Sequence, residues 1–397
     1  MTDPSDSTAP PAGGTADGSA HVPGAASGRT AHAPGSAPGG AGTAEGGAGV
    51  SGAPAGRATR LRPAALLVAL GVLLASMTTG TLAGAADIAP GQVMLELLDR
   101  LPFVSAGSGL TPVEQGLLVE LRLPRVLLGA VVGGLLAIAG AAYQGVFRNP
   151  LADPYLLGAA AGAGLTTTAV IVLLKGDTEA VTIPAAAFAG AVGGVLLAYA
   201  LGNVAGRGGG TATLVLAGVA VTAFLTAVQT FVQQLSVEDL QRIYGWILGT
   251  VDGGWERITL IVPYAAVSVA VLLAHGRLLD VLSVGDDEAV SLGLNATRVR
   301  LVVLLAASLA TAAAVAVSGL IGFVGIVVPH VIRRLAGGSY RVVLPLSLIG
   351  GAAFLVFGDV IARTVLAPAE LPIGVVTAFV GAPFFVAVLR VTKRVET

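Results

Sequence analysis

The sequence predicts an all-α polytopic membrane protein with about ten transmembrane helices per subunit. Three observations carry that expectation. The 397 residues are 54% hydrophobic and 11% charged, with a mean hydropathy of +0.85. A soluble domain carries about 25% charged residues, so too few charges remain here to solvate a surface. The apolar residues also gather into runs close to the roughly 20 residues that cross a bilayer. Finally, the 22 lysines and arginines lie between these runs, in an uneven distribution.

Residues 1–58 are rich in Gly, Ala, Ser, Pro and Thr and almost lack large apolar side chains. Such a segment cannot offset its ordering entropy, and it reads as a disordered cytoplasmic tail. The membrane-spanning body is expected over 59–397. Its first apolar run begins near Ala64, behind Arg57, Arg60 and Arg62. That is too far from the start for a cleaved signal peptide, and it suits an anchor retained as the first span. The spans are expected at about 64–86, 122–147, 155–174, 181–202, 212–235, 258–276, 341–362 and 371–390. Between Arg300 and Arg333 lie thirty-two residues without a single Asp, Glu, Lys or Arg. One helix of that length would measure about 48 Å, against a hydrocarbon core of about 30 Å. Gly319, Gly322, Gly325 and Pro329 give it places to break, so it divides into segments near 301–318 and 321–334. Ten spans place both termini on one side. With that side cytoplasmic, fifteen of the 22 basic residues lie inside and seven outside, in keeping with the positive-inside rule. Within the spans, Gly129/Gly133, Gly158/Gly162 and Gly190/Gly194 are GxxxG pairs that permit close helix approach.

The residues exclude several kinds of chemistry. The chain has no cysteine, and only His275 and His330 lie outside the tail, which leaves little with which to build a metal site or bind a cofactor. No segment matches GxxxxGK[ST], and neither lysine, Lys175 or Lys393, has phosphate-loop surroundings. The chain is therefore expected not to be an enzyme, and any ATP hydrolysis must come from another polypeptide. Nothing points to nucleic acid.

Ionisable groups inside spans mark coupling sites in ion-driven transporters, and Asp359 is the main one here. Arg363 follows at i+4. The two form a local ion pair, or the Asp holds an Arg presented outward to a partner, and these readings are compatible. His330 reads as a helix-packing residue near the inner interface. Gln144 either lines a pathway or bonds a neighbouring helix. Arg122 and Arg125 stand at the expected head of the second span, the unfavourable end for cations. They suit lipid head groups or an acidic partner surface. On the cytoplasmic side, GDDEAVSLGLNATRVR (285–300) reads as a short helix. Asp286, Asp287 and Glu288 lie in its first turn, Gly293 ends it, and Asn295 caps the next helix. Val290 and Leu292 would contact a cytoplasmic partner; the alternative is a solvated loop. The Gly-rich stretch 203–213 suits a hinge.

Together these segments resemble the FecCD-type permeases of ATP-binding-cassette importers for iron–siderophore complexes, haem and cobalamin, a family that includes the vitamin B12 importer permease. RLPR at 122–125, GAAYQGVFRNPLADPYLLGAAAGA at 140–163, LVLAGVAV at 214–221 and YGWILGT around Trp246 are similar to family motifs. So are SLGLN at 291–295, SGLIGFVGIVVPHVIRR at 318–334, LPLSLIGGAAFLVFGDVIAR at 344–363 and ELPIGVVTAFVGAPFF at 370–385. The resemblance covers about 60–395.

It implies the type II importer permease fold, with ten helices and a second permease copy or paralogue across a translocation path. It also implies two cytoplasmic ATPase subunits, an extracytoplasmic substrate-binding protein, and a location in the cytoplasmic membrane of a bacterium. By resemblance, Arg122, Arg125 and Arg363 meet carboxylates of the binding protein, 286–298 holds the coupling helix, and Thr211, Ala212 and Thr213 fall at the inner gate. The expected cargo is a ferric siderophore, with cobalamin or haem as alternatives. An ion-coupled secondary transporter, the reading from another class, would need carboxylates at the membrane midplane.

Overall fold

The structure is a computed structural model that describes residues 61–84, 88–100, 107–174, 181–205 and 211–393. The predicted tail, 1–58, lies outside the described residues. Among the described residues every regular element is helical. The first span is α1 (Pro63–Leu82), opened by a proline at its first position, where no backbone N–H is missed. A short amphipathic helix, α2 (Pro90–Asp99), follows. Next, α3 (Pro112–Gly116) passes through a π-helical turn, Leu117–Arg122, into α4 (Leu123–Phe147). The rest are α5 (Ala159–Leu174), α6 (Thr182–Ala205), α7 (Thr211–Gln234), α8 (Leu240–Ile247), α9 (Trp255–Ala274), α10 (Gly276–Val284), α11 (Asp286–Ser291), α12 (Ala296–Ser318), α13 (Val324–Ala336), α14 (Tyr340–Thr364) and α15 (Ile373–Lys393).

Seven of these helical stretches are long and apolar enough to cross a membrane. The apolar α5 and α15, with the 13-residue α13, occupy the other three expected span positions. The second span departs from expectation. Its helix starts ten residues before Arg122, at a capping box in which Thr111 accepts from Glu114 N and Glu114 reaches back to Thr111 N. The whole stretch, Pro112–Phe147, has 36 residues and rises about 54 Å. Arg122 and Arg125 therefore lie well inside a helix, not at its head.

The long uncharged run does break, at residues 319–323. Gly319 (φ +68) and Phe323 (φ +67) take left-handed conformations between α12 and α13. Pro329, by contrast, lies inside α13. A break within a bilayer must satisfy the backbone groups it frees. Here the Tyr155 hydroxyl donates to Ile321 O at 3.0 Å and accepts from Ile321 N at 3.1 Å. Thr250 N donates to Ser318 O at 2.8 Å, and Arg257 to Val317 O at 3.1 Å.

At the centre, α4 packs on α14, α12, α13 and α9, with Leu128, Leu135, Ile138 and Tyr143 fully buried. Small residues let the backbones meet. A Cβ on Gly133 would strike Gly351 O, and one on Gly140 would strike Gly325 O. The helices α5, α6 and α7 form a second group. In it the Gly158/Gly162 pair faces Gly190/Gly194, and the crossing leaves no room for a Cβ at Gly162, Gly190 or Gly194. Without water to drive association, such contact surfaces supply the packing energy between helices.

Candidate functional site

Two polar assemblies sit at opposite ends of α4. The end holding the start of α4 is the outer one by the predicted charge bias, and the end holding Arg148 is the inner one.

At the outer end Arg125 pairs with Asp359 at 2.9 Å, Glu370 at 2.8 Å and Asp252 at 2.9 Å. Asp359, on α14 and 2% exposed, also meets Arg363 at 2.9 Å. Arg363 donates onward to Ala83 O at 2.7 Å and Gly80 O at 2.9 Å. Arg122 donates to Thr81 O and Leu82 O, both at 3.4 Å. Two arginines thus serve the last carbonyls of α1. A helix end leaves those carbonyls without partners, and its dipole favours cations there. The unfavourable position expected for Arg122 disappears, because its guanidinium lies at the end of one helix while its backbone lies inside another.

The three arginines expected to face outward are largely enclosed by the chain in this structure. The Arg125 side chain is 17% exposed, that of Arg363 is 6% exposed, and Arg122 is 7% exposed. Each is engaged within the chain, because buried carbonyls and the buried Asp359 need donors. Within this cluster the exposed charges are the carboxylates of Asp252 and Glu370, 56% and 47% exposed. Sequence reasoning passed over both, since neither lies in a span. The signal it could have used is TPVE at 111–114, a capping box with proline at the first helical position. That motif moves the helix start outward and Arg122 inward.

At the inner end, α11 carries Asp286, Asp287 and Glu288 in its first turn. Gly293 follows with φ +77, its N–H donating to Val290 O at 2.9 Å. The Asn295 side chain accepts from Arg298 N at 2.9 Å and caps α12. Ala289 is buried, whereas Val290 and Leu292 are 64% and 69% exposed. Asp286 is held by Arg148, which follows α4, and by Arg300 of α12. The hydrogen bond from Arg300 and the nearby Arg148 charge keep its carboxyl below the usual carboxylate range. Arg148 also donates to Leu282 O at 2.8 Å. On α10, which the sequence reading did not separate, Asp280 accepts from Ser339 at 2.7 Å and from Tyr340 N at 2.5 Å at the start of α14. The exposed α11 is therefore fastened to α4 and α12 through Asp286, and the preceding α10 is fastened to α14 through Asp280.

Gln144 does not line an open path. It is 1% exposed, donates to Gly325 O at 2.9 Å and accepts from Arg333, so it bonds a neighbouring helix. His330 packs edge-on against Phe384 of α15, ring centres 5.7 Å apart. Thr211, Ala212 and Thr213 open α7; residues 206–210 of the expected hinge lie outside the described residues.

A family model described as the FecCD transport family matches residues 70–391. The chain is 42% identical over 283 residues to the cobalamin import system permease protein of Halobacterium salinarum, covering 71% of this chain and 75% of that one. It is 36% identical over 332 residues to an Fe(3+)-citrate import system permease protein of Bacillus subtilis, covering 83% and 95%. Among solved structures it is similar to a metal-chelate type ABC transporter in an inward-facing conformation. That likeness has a TM-score of 0.71 and 27% identity, over 83% of this chain and 99% of the other.

Proposed function

The chain belongs to the FecCD transport family, permeases of ATP-binding-cassette importers, and on that premise we propose that it lines the translocation path of a ferric-siderophore importer in a bacterial cytoplasmic membrane. Two copies, or this chain and a paralogue, enclose the path. A binding protein delivers cargo at the outer end, and two ATPase subunits work from the cytoplasm, where both termini lie. The observation that carries the reading is α11: a short helix with exposed Val290 and Leu292, anchored through Asp286 to both α4 and α12. A push on it reaches the helices that run to the outer end. Asp286, Asp287, Glu288, Gly293 and Asn295 shape that helix and its exit, and Thr211–Thr213 stand at the inner mouth of the path.

At the outer end Arg125 is the docking cation. Carboxylates of an arriving binding protein exchange with exposed Glu370 and Asp252, while Arg122 and Arg363 hold α1 against the bundle. Against an ion-coupled mechanism stands Asp359, which two arginines neutralise at one end of the bundle. Cobalamin is the second reading, favoured by the 42% identical cobalamin permease. Uptake of iron-labelled siderophores and of labelled cobalamin by cells with and without this chain separates them. Loss of iron uptake alone supports the proposal, and loss of cobalamin uptake alone overturns its cargo.

A further inference from the structure

The groove between α1, α13 and α14 belongs to neither assembly. Arg363 joins the C-terminal end of α1 to α14, and a Cβ on Gly80 would lie 3.1 Å from Val356. The two helices therefore run parallel, and their starting ends lie together. There they part around a cavity of about 1060 Å³, closed on the third side by the end of α13. That volume is at the upper edge of the range for ligand pockets.

Val68, Val72, Phe354 and Phe357 line its length, Arg62 and Arg334 stand where the helices begin, and no acidic side chain lines it. Val68, Val72 and Phe357 are more than half exposed. Both arginines are exposed, and neither has a carboxylate partner among the described residues. From Arg62 to Thr79 the groove rises about 26 Å, enough for the acyl chains of one leaflet in a hydrocarbon core of about 30 Å.

We propose that this groove is a binding site for an anionic phospholipid, its phosphate between Arg62 and Arg334 and its acyl chains along α1 and α14. An apolar trough open to the bilayer, with two cations at one mouth that lack a carboxylate partner among the described residues, matches the two parts of that molecule. Basic pockets between helices on the cytoplasmic side attract anionic head groups in the same way. The predicted charge bias assigns this mouth to the cytoplasmic leaflet. A bound lipid would fill the space between α1 and α14 towards their starting ends, the part of α1 that Arg122 and Arg363 do not reach.

The chain has no cysteine, so Val68→Cys in the full-length protein carries a single fluorophore inside the groove. Its quenching by spin-labelled phosphatidylglycerol is compared with that by spin-labelled phosphatidylcholine in nanodiscs. Two basic groups should favour the anionic lipid by roughly ten- to thirtyfold. Arg62→Gln/Arg334→Gln should abolish the preference. Raising the salt should shrink it in the protein with both arginines, a readout that stands even if the double variant does not fold. Equal quenching by the two lipids overturns the proposal, as does a preference that survives both the double variant and salt. Quenching by neither lipid means that protein covers the groove, and displacement by millimolar inorganic phosphate means a free-anion site. Either result also overturns it.

Discussion

Replacing Asp359 with Asn removes one buried negative charge and changes almost nothing in size. Asp359 is 2% exposed and faces Arg125 and Arg363, each at 2.9 Å. Arg125 keeps Asp252 and Glu370, so its loss is small; partly exposed pairs contribute about 0–1 kcal/mol. Arg363 keeps only the carbonyls of Gly80 and Ala83, with its side chain 6% exposed. Stranding one member of a buried pair costs about 3–5 kcal/mol. The two carbonyls and the oxygen that Asn retains offset part of that, leaving about 2–3 kcal/mol. The assay is SDS-titrated unfolding of the full chain in mixed micelles, followed by the intrinsic fluorescence of its two tryptophans, Trp246 and Trp255. The indole of Trp255 donates to Val119 O at 3.1 Å. Adding Arg363→Gln removes the stranded charge, so the double variant should lose at least about 1 kcal/mol less than the sum of the singles. A loss below about 0.5 kcal/mol for Asp359→Asn, or a cycle that closes to zero, would refute a buried charge-balanced cluster.

At the inner end, Arg148→Ala with Arg300→Ala should leave the fold intact. It should reduce the stimulation of ATP hydrolysis by loaded binding protein severalfold, measured in the reconstituted complex; unchanged stimulation would sink the role given to the anchor. The pH dependence of that anchor follows from its sign. The folded Asp286 carboxyl is depressed, so its contribution is fully present above about pH 4 and fades only below that. Hydrogen-exchange protection of α11, corrected for intrinsic rates, should therefore not change between pH 5 and 8. In the α5–α6 crossing, Gly190→Ala places a methyl group against Gly162 O and Thr166. It should cost about 1–3 kcal/mol in the same SDS titration, whereas Gly193→Ala, with open space around it, should cost little.

Much of this architecture was legible in the chain. The charge-free run from 301 to 332 exceeds a bilayer, and the glycine at 319 marks where it turns. Gly293 and Asn295 read as stop and cap because each does its work locally. What the sequence hid depends on neighbours distant along the chain. Nothing near Arg122 says that the carbonyls of Thr81 and Leu82 lie beside it, and nothing near Gln144 points to Gly325 or Arg333. The amphipathic helices α2, α8 and α10 escaped because a search for twenty apolar residues passes over helices of eight to ten that lie at the ends of the bundle. Asp252 and Glu370 were overlooked for the opposite reason. They sit in connecting segments, where charge is ordinary until a guanidinium from another helix arrives.

The most direct test of the account is cargo uptake by proteoliposomes holding this chain, its partner ATPase, and the binding protein outside. ATP enclosed within should drive accumulation of a labelled ferric siderophore, and Leu292→Asp on the exposed face of α11 should abolish accumulation while leaving the protein assembled in the bilayer. Accumulation without ATP, driven by an ion gradient alone, would contradict it.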